Sequence, residues 1–253
     1  MSVVEQFRGR PLPHSGRWQI LRLVLLSIGG LLLTAGVLWL GWHKFQDPEF
    51  LPIGVVGVSG ELIHMKPEDF KKGISPLIKM GLFAVDVDVV SAEIHKLPWV
   101  ERVAVRRIWP DKLEITITEF EPLARWGKSS LVNAEGVAFV PNKDEIPLGL
   151  PRLWGPEGEE KRVVEQYLSM REPLKLMTMD IVSLHLNDRR SWSMELKGGL
   201  MVELGQRDLK ARFHRFLRIY PQLMERHTGQ ILKMDLRYPN GLSVAWSRGS
   251  FRK

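Results

Sequence analysis

From Leu23 to Trp42 the chain reads LVLLSIGGLLLTAGVLWLGW, with no charged side chain. At about 1.5 Å of rise per residue, a helix of this length covers roughly 30 Å, the hydrocarbon thickness of a bilayer. Trp39 and Trp42 stand at one end and Trp18 just outside the other, where amphipathic rings favour the headgroup zone. A core helix of a soluble protein is usually shorter and amphipathic. The run predicts one transmembrane helix over 23–42. Arg8, Arg10, Arg17 and Arg22 precede it against the single acid Glu5, whereas His43, Lys44, Asp47 and Glu49 follow. Basic flanks stay in the cytoplasm, so the rest of the chain is expected to be exported. A cleaved signal peptide would be shorter and would end in small residues, but this run ends in LWLGWHKF. An uncleaved anchor fits better. Gly30 and Thr34 form a small-xxx-small pair of the kind that seats another helix.

The residues after the anchor are enough for two modest domains. Of the net charge of +7, three units come from the N-terminal tail, which leaves the exported part only mildly basic. Such an excess suits acidic protein surfaces, anionic lipid or wall polymer rather than nucleic acid. With no cysteine, the fold must be stable without disulfides or thiolate metal sites.

Residues 1–22 read as a cytoplasmic tail, its first 20 probed by Pro11, Pro13 and Gly16 and expected to be unstructured. Residues 43–52 read as a linker stiffened by Pro48 and Pro52. The first exported domain, 53–121, reads β-α-α-β-β. Ile53 to Val58 is a short β-branched strand ending at Ser59-Gly60. Pro67, Glu68 and Asp69 suit a helix's first turn. A second helix is expected with Asp88 as N-cap and Val90, Ile94 and Leu97 on its apolar face. Val103 and Val105, then Leu113, Ile115 and Ile117, alternate with polar or small neighbours around a Trp109-Pro110-Asp111 corner, which predicts a hairpin.

The second domain, 122–248, reads as mainly antiparallel strands with flanking helices, followed by a short tail over 249–253. Asn133 to Gly136 is a tight turn between short strands, and a helix is expected from Glu159 to Arg171. Three alternating runs follow (Val182/Leu184/Leu186, Trp192/Met194/Leu196 and Leu200/Val202/Leu204), the last two joined at Gly198-Gly199. Leu209 to Arg226 predicts an amphipathic helix with Phe213, Phe216 and Tyr220 on one face. Two strands end the domain, Leu232/Met234/Leu236/Tyr238 and Leu242/Val244/Trp246, turned by Pro239-Asn240-Gly241. The fold class is α+β, anchored by a single helix.

Reactive groups do not converge. The seven histidines never fall at metal-ligand spacing. Gly57-Val58-Ser59-Gly60 lacks the spacing of a serine-nucleophile elbow. Asp86 and Asp88 precede a helix and suit capping, and Glu119 and Glu121 are expected to face solvent. Arg207, Lys210, Arg212, Arg215 and Arg218 on the amphipathic helix read as a solvated outer face. No enzyme, metal or cofactor is expected, which leaves binding by surfaces. The strand from Leu242 to Trp246 comes last and carries no charge or proline, the usual guards of an edge. It is either an edge that accepts another chain's strand or an ordinary final strand covered by its own domain.

The order of parts, and the phrases LPWVERVAVRRIWPDKLEITITEFEPLARW, LVNAEGVAF, LPRLWGPEGEE, RRSW and LRYPNGLSVAW, resemble the FtsQ/DivIB family of bacterial cell-division proteins. The resemblance implies a bitopic inner-membrane protein of the divisome with a POTRA domain and a periplasmic β domain. It implies a non-enzymatic role at the septum: recruiting the FtsB–FtsL pair by strand addition at the last strand and helping to control septal peptidoglycan synthesis. By position, the partner-binding residues would be Arg189, Arg237, Tyr238, Gly241, Ser243 and Trp246. Val105 and Arg107 on the second POTRA strand would serve recruitment, and other divisome proteins would meet the POTRA domain and the membrane helix. The rivals are a POTRA-bearing outer-membrane assembly or secretion factor, disfavoured because no run of barrel strands follows, and a membrane-tethered wall enzyme.

Overall fold

The computed structural model describes residues 15–45, 52–79, 81–227, 229–239 and 241–247. The first helix, α1, runs from Ser15 to Phe45. It begins eight residues before the apolar run, because after Pro13 only Gly16 interrupts a helical sequence. Part of the expected tail is therefore helical, while residues 1–14, the linker core 46–51 and the tail from 248 lie outside the described residues. The stretch Ile20–His43 is long and apolar enough to cross a membrane, and none of it is buried in protein.

After the linker, β1 (Val55–Ser59), α2 (Pro67–Ile78), α3 (Val87–Ile94), β2 (Val100–Ile108) and β3 (Lys112–Glu119) form a three-stranded sheet in the order β1-β3-β2. The central strand pairs parallel with β1 and antiparallel with β2. Its alternating Leu113, Ile115 and Ile117 are buried beside Phe70, Ile74, Val90 and Ile94 of the two helices, and each such side chain contributes roughly 1.5–3 kcal/mol. Asp86, not Asp88, caps α3. Its backbone is extended, and Oδ1 accepts from the N–H groups of Asp88 and Val89. Glu119 also departs from expectation. Its side chain is only 6 % exposed, because it accepts hydrogen bonds from the backbone N–H groups of Ile63, His64 and Met65 and tethers that loop to β3.

The second domain has a nine-stranded sheet in the order β12-β11-β10-β9-β8-β7-β4-β5-β6. Its strands are β4 (Ala124–Trp126), β5 (Ser130–Val132), β6 (Ala138–Phe139), β7 (Arg152–Trp154), β8 (Ile181–Leu186), β9 (Trp192–Leu196), β10 (Leu200–Gly205), β11 (Ile231–Asp235) and β12 (Ser243–Trp246). Five of the eight pairings are antiparallel, while β4–β7, β7–β8 and β10–β11 are parallel. Two helices, α4 (Glu160–Leu176) and α5 (Leu209–Arg226), bury Val163, Tyr167, Phe213 and Phe216 in the core shared with the sheet. α4 runs a full turn beyond Arg171, with Pro173 inside it, because Met170 and Leu174 continue the buried stripe. In β11 the strict alternation fails: a bulge between Ile231 and Lys233 leaves Leu232 exposed.

The two domains meet through their cores. Leu131 and Phe139 from the second domain are buried with the first domain's residues, and the Trp99 and Phe139 rings lie 5.3 Å apart. Trp99 Nε1 donates to Glu145 at 2.7 Å. The Asn142 amide and then this indole hold the Glu145 carboxyl below the usual range.

A candidate partner-binding edge

The last strand has one neighbour among the described residues. β12 pairs antiparallel with β11 in the register Asp235↔Ser243, Met234↔Val244, Lys233↔Ala245 and Ile231↔Trp246, and it ends the sheet order. Leu242, Val244 and Trp246 pack on the core, whereas Ser243 and Ala245 are exposed. The N–H of Ser247 donates inward to Gln230 O at 2.9 Å. By the period of two, the amides of Ala245 and Ser243 also turn toward β11, and those of Val244 and Trp246 turn to the open edge. The Trp246 ring lies 4.9 Å from His227 and is half-buried, so it is part of the domain's own packing rather than an uncovered group.

The turn leading into β12 is held from behind by α5. Arg215 donates to the carbonyls of Tyr238 (3.0 Å), Pro239 (2.9 Å) and Gly241 (3.2 Å). One turn earlier on the helix, Arg212 donates to Leu204 O (2.7 Å) and Arg237 O (3.0 Å). A guanidinium presents five donors in a rigid fork, which lets one side chain bind several carbonyls. The expected solvated face of α5 is thus corrected at these two positions. Gly205, at φ +78°, makes room: a Cβ there would lie 2.5 Å from the Arg212 guanidinium. The basic spacing along α5 was visible in the sequence, but the carbonyl targets, Leu204 apart, lie more than twenty residues away and carry no side-chain signal.

Arg237 is not a free cation. Its guanidinium grips Asp235, with Nε 2.9 Å from Oδ1 and Nη2 2.6 Å from Oδ2, and its own N–H donates to Oδ1. This contact holds the Asp235 carboxyl below its usual range and raises Arg237. The Tyr238 side chain is 55 % exposed beside it. Arg189 sits exposed in the β8–β9 turn, where Asn187 Oδ1 accepts from Ser191 N–H. Its neighbour Arg190, at φ +60°, is instead ion-paired with Glu159 before α4, and that contact lowers the Glu159 carboxyl.

These placements split the expected set. Trp192 at the start of β9 pairs with Gly205 at the end of β10, and β10 runs parallel to β11 with Glu203 opposite Asp235. Arg189, Arg237, Tyr238, Gly241 and Ser243 therefore gather at one end of the sheet, and Trp246 stands at the far end of β12. Val105 and Arg107 belong to the other domain. Val105 is half-buried against the first domain's core, and Arg107 donates to Val85 O. No group of three or more metal-ligating side chains occurs among the described residues.

Fold and edge together define a class: a chain with one membrane-length helix, a POTRA domain and a mixed β domain with an open terminal strand. Residues 51–120 match the FtsQ-type POTRA domain, and residues 124–237 match the C-terminal domain of the cell division proteins FtsQ/DivIB. The chain is 36 % identical over 218 residues to the cell division protein FtsQ of Methylomonas methanica, covering 85 % of this chain and 87 % of that one. It is 33 % identical over 231 residues to the cell division protein FtsQ of Escherichia coli, covering 89 % and 83 %. The chain belongs to the FtsQ/DivIB family. The C-terminal match stops at Arg237, so β12 lies beyond it.

Proposed function

We infer that the chain is a non-enzymatic, single-pass scaffold of the bacterial division machinery. α1 sits in the inner membrane with the tail in the cytoplasm, and the POTRA domain (53–121) and β domain (122–248) stand in the periplasm at the septum. The β domain recruits the FtsB–FtsL pair by adding a partner strand to β12, and this attachment helps to control septal peptidoglycan synthesis. One observation carries the reading: β12 ends its sheet with no charge or proline from Leu242 to Trp246, and its entry turn is held by Arg215. Backbone groups supply the pairing, while Arg189 and Tyr238 at the same end of the sheet supply side-chain contacts.

Amide exchange of the full chain, with and without FtsB–FtsL, tests it. The Val244 and Trp246 amides are expected to slow on binding. Tight binding without protection of these two amides would move the interface elsewhere.

A further inference from the structure

At the corner between β2 and β3, Trp109 meets Phe83 from the loop before α3, and both rings are exposed. Trp109 is 59 % exposed and Phe83 40 % exposed, and their centroids are 4.7 Å apart. Neither ring belongs to a core cluster. Both lie at the end of the POTRA domain where the chain arrives from α1, because the N–H groups of Gly54 and Val55 both donate to Asp111 O, at 2.9 and 3.3 Å. Val55, beside them, is 52 % exposed. Arg106, Arg107 and Lys112 surround the corner against the acids Asp111 and Glu114, and Arg106 is 72 % exposed.

The tether fixes what this end can reach. α1 ends at Phe45 and the first hydrogen bond of the POTRA domain is at Gly54. Nine residues extend at most about 30 Å, so the corner that binds Gly54 is held close to the surface from which α1 emerges. Trp and flanking cations are the side chains that partition to the headgroup layer. We propose that Trp109 and Phe83 rest in the headgroup layer of the bilayer that α1 spans and fix the tilt of the POTRA domain above it. The proposal rests on the reading of α1 as a membrane anchor. It also gives a purpose to two exposed rings at a corner that the tether holds near the lipid.

The test uses the full chain in liposomes of phosphatidylethanolamine and phosphatidylglycerol. Subtracting the fluorescence of Trp109→Phe from that of the parent isolates the indole at position 109. That component is expected to be quenched by lipids brominated near the headgroup and shielded from aqueous iodide. The absence of cysteine allows a second probe, Phe83→Cys with one nitroxide label. Its collisions with lipid-dissolved oxygen should exceed those with a water-soluble nickel chelate, and a label at Leu148→Cys, where the native side chain is 97 % exposed, should show the reverse. Iodide quenching of Trp109 together with nickel access at 83 would overturn the proposal and leave the rings for a protein partner. Retention of the full chain in the liposomes after alkaline extraction reports separately on the anchor, so failure of α1 to insert is distinguishable from failure of the corner to dock.

Discussion

Among the described residues, β2 ends one sheet and β12 ends the other, and these two edges are built oppositely. β2 is nine residues long and carries Glu101, Arg102, Arg106 and Arg107. β12 is four residues long, carries no charge, and is presented by a turn whose carbonyls are held by Arg215. Charge along an edge discourages pairing with another chain, and an uncharged, pre-positioned edge invites it. Under the proposed function, strand addition falls to β12, and β2 would meet a partner through side chains rather than backbone.

The largest effect should come from closing the open edge. Val244→Pro removes an outward N–H, and partner affinity is expected to fall by a hundredfold or more, about 2.7 kcal/mol. Circular dichroism should still show a folded β domain. If affinity stays normal in the folded variant, the contrast between the edges collapses. Ser243→Pro makes the comparison sharper. That amide faces β11, so the variant should lose stability as well as binding.

Next comes the brace. Arg215→Ala frees three carbonyls and should lower stability by about 1–2 kcal/mol and affinity about tenfold. Arg215→Lys should recover only part of this, since an ammonium cannot fork across the turn. Unchanged affinity in both variants would show that β12 does not need its turn held. Trp246→Ala should cost about 1–2 kcal/mol of folding stability, because the half-buried ring packs on the core and His227. Its loss of affinity should follow the loss of folded protein, and a binding defect in fully folded protein would place the ring in the interface instead.

A smaller effect is expected from acid. Asp235 is held below the usual carboxylate range by Arg237, so its contribution is present above the unfolded value of roughly 4 and is lost as pH falls through the lower folded value. Asp235→Asn should flatten that part of the stability curve below pH ~4, measured by urea unfolding at several pH values. An identical acid profile in parent and variant would detach the ion pair from the stability of the edge.

Much of this was legible in the sequence where the pattern is local. The period of two placed β3, β9 and β10, and β8 except at Val182, which a register shift between Ile181 and Ser183 leaves exposed while Ile181 is buried; the period of 3.6 gave α5 from Leu209 to Arg226 with its boundaries intact. What escaped depends on groups far apart in the chain. Glu119 at a strand end reads as exposed until three amides from residues 63–65 come to it. Arg212 and Arg215 read as a wet face until the carbonyls of Arg237, Tyr238, Pro239 and Gly241 come to them. Backbone carbonyls have no letter in the sequence, so an arginine that binds them looks like any other surface charge. The bulge in β11 is equally silent, and it exposes Leu232 by one extra residue.

The smallest thermodynamic effect should lie on the guarded edge, and it tests the comparison from the other side. Arg106 is 72 % exposed and pairs across the strands with Glu114, whose carboxyl it lowers. A surface pair of this kind adds little to folding, so Arg106→Ala should leave the unfolding temperature nearly unchanged. Arg107 differs, because its donor to Val85 O ties β2 to the loop before α3, and Arg107→Ala should lower that temperature measurably. If charge on β2 works mainly by repelling strands, Arg102→Ala together with Arg106→Ala should raise self-association of the folded protein, seen as concentration-dependent sedimentation. Adding Lys at Ala104, an exposed position of the same strand, should reverse it. A double variant that stays monomeric at every concentration would show that β2 is protected by something other than its charges, and the opposition between the two edges would then rest on β12 alone.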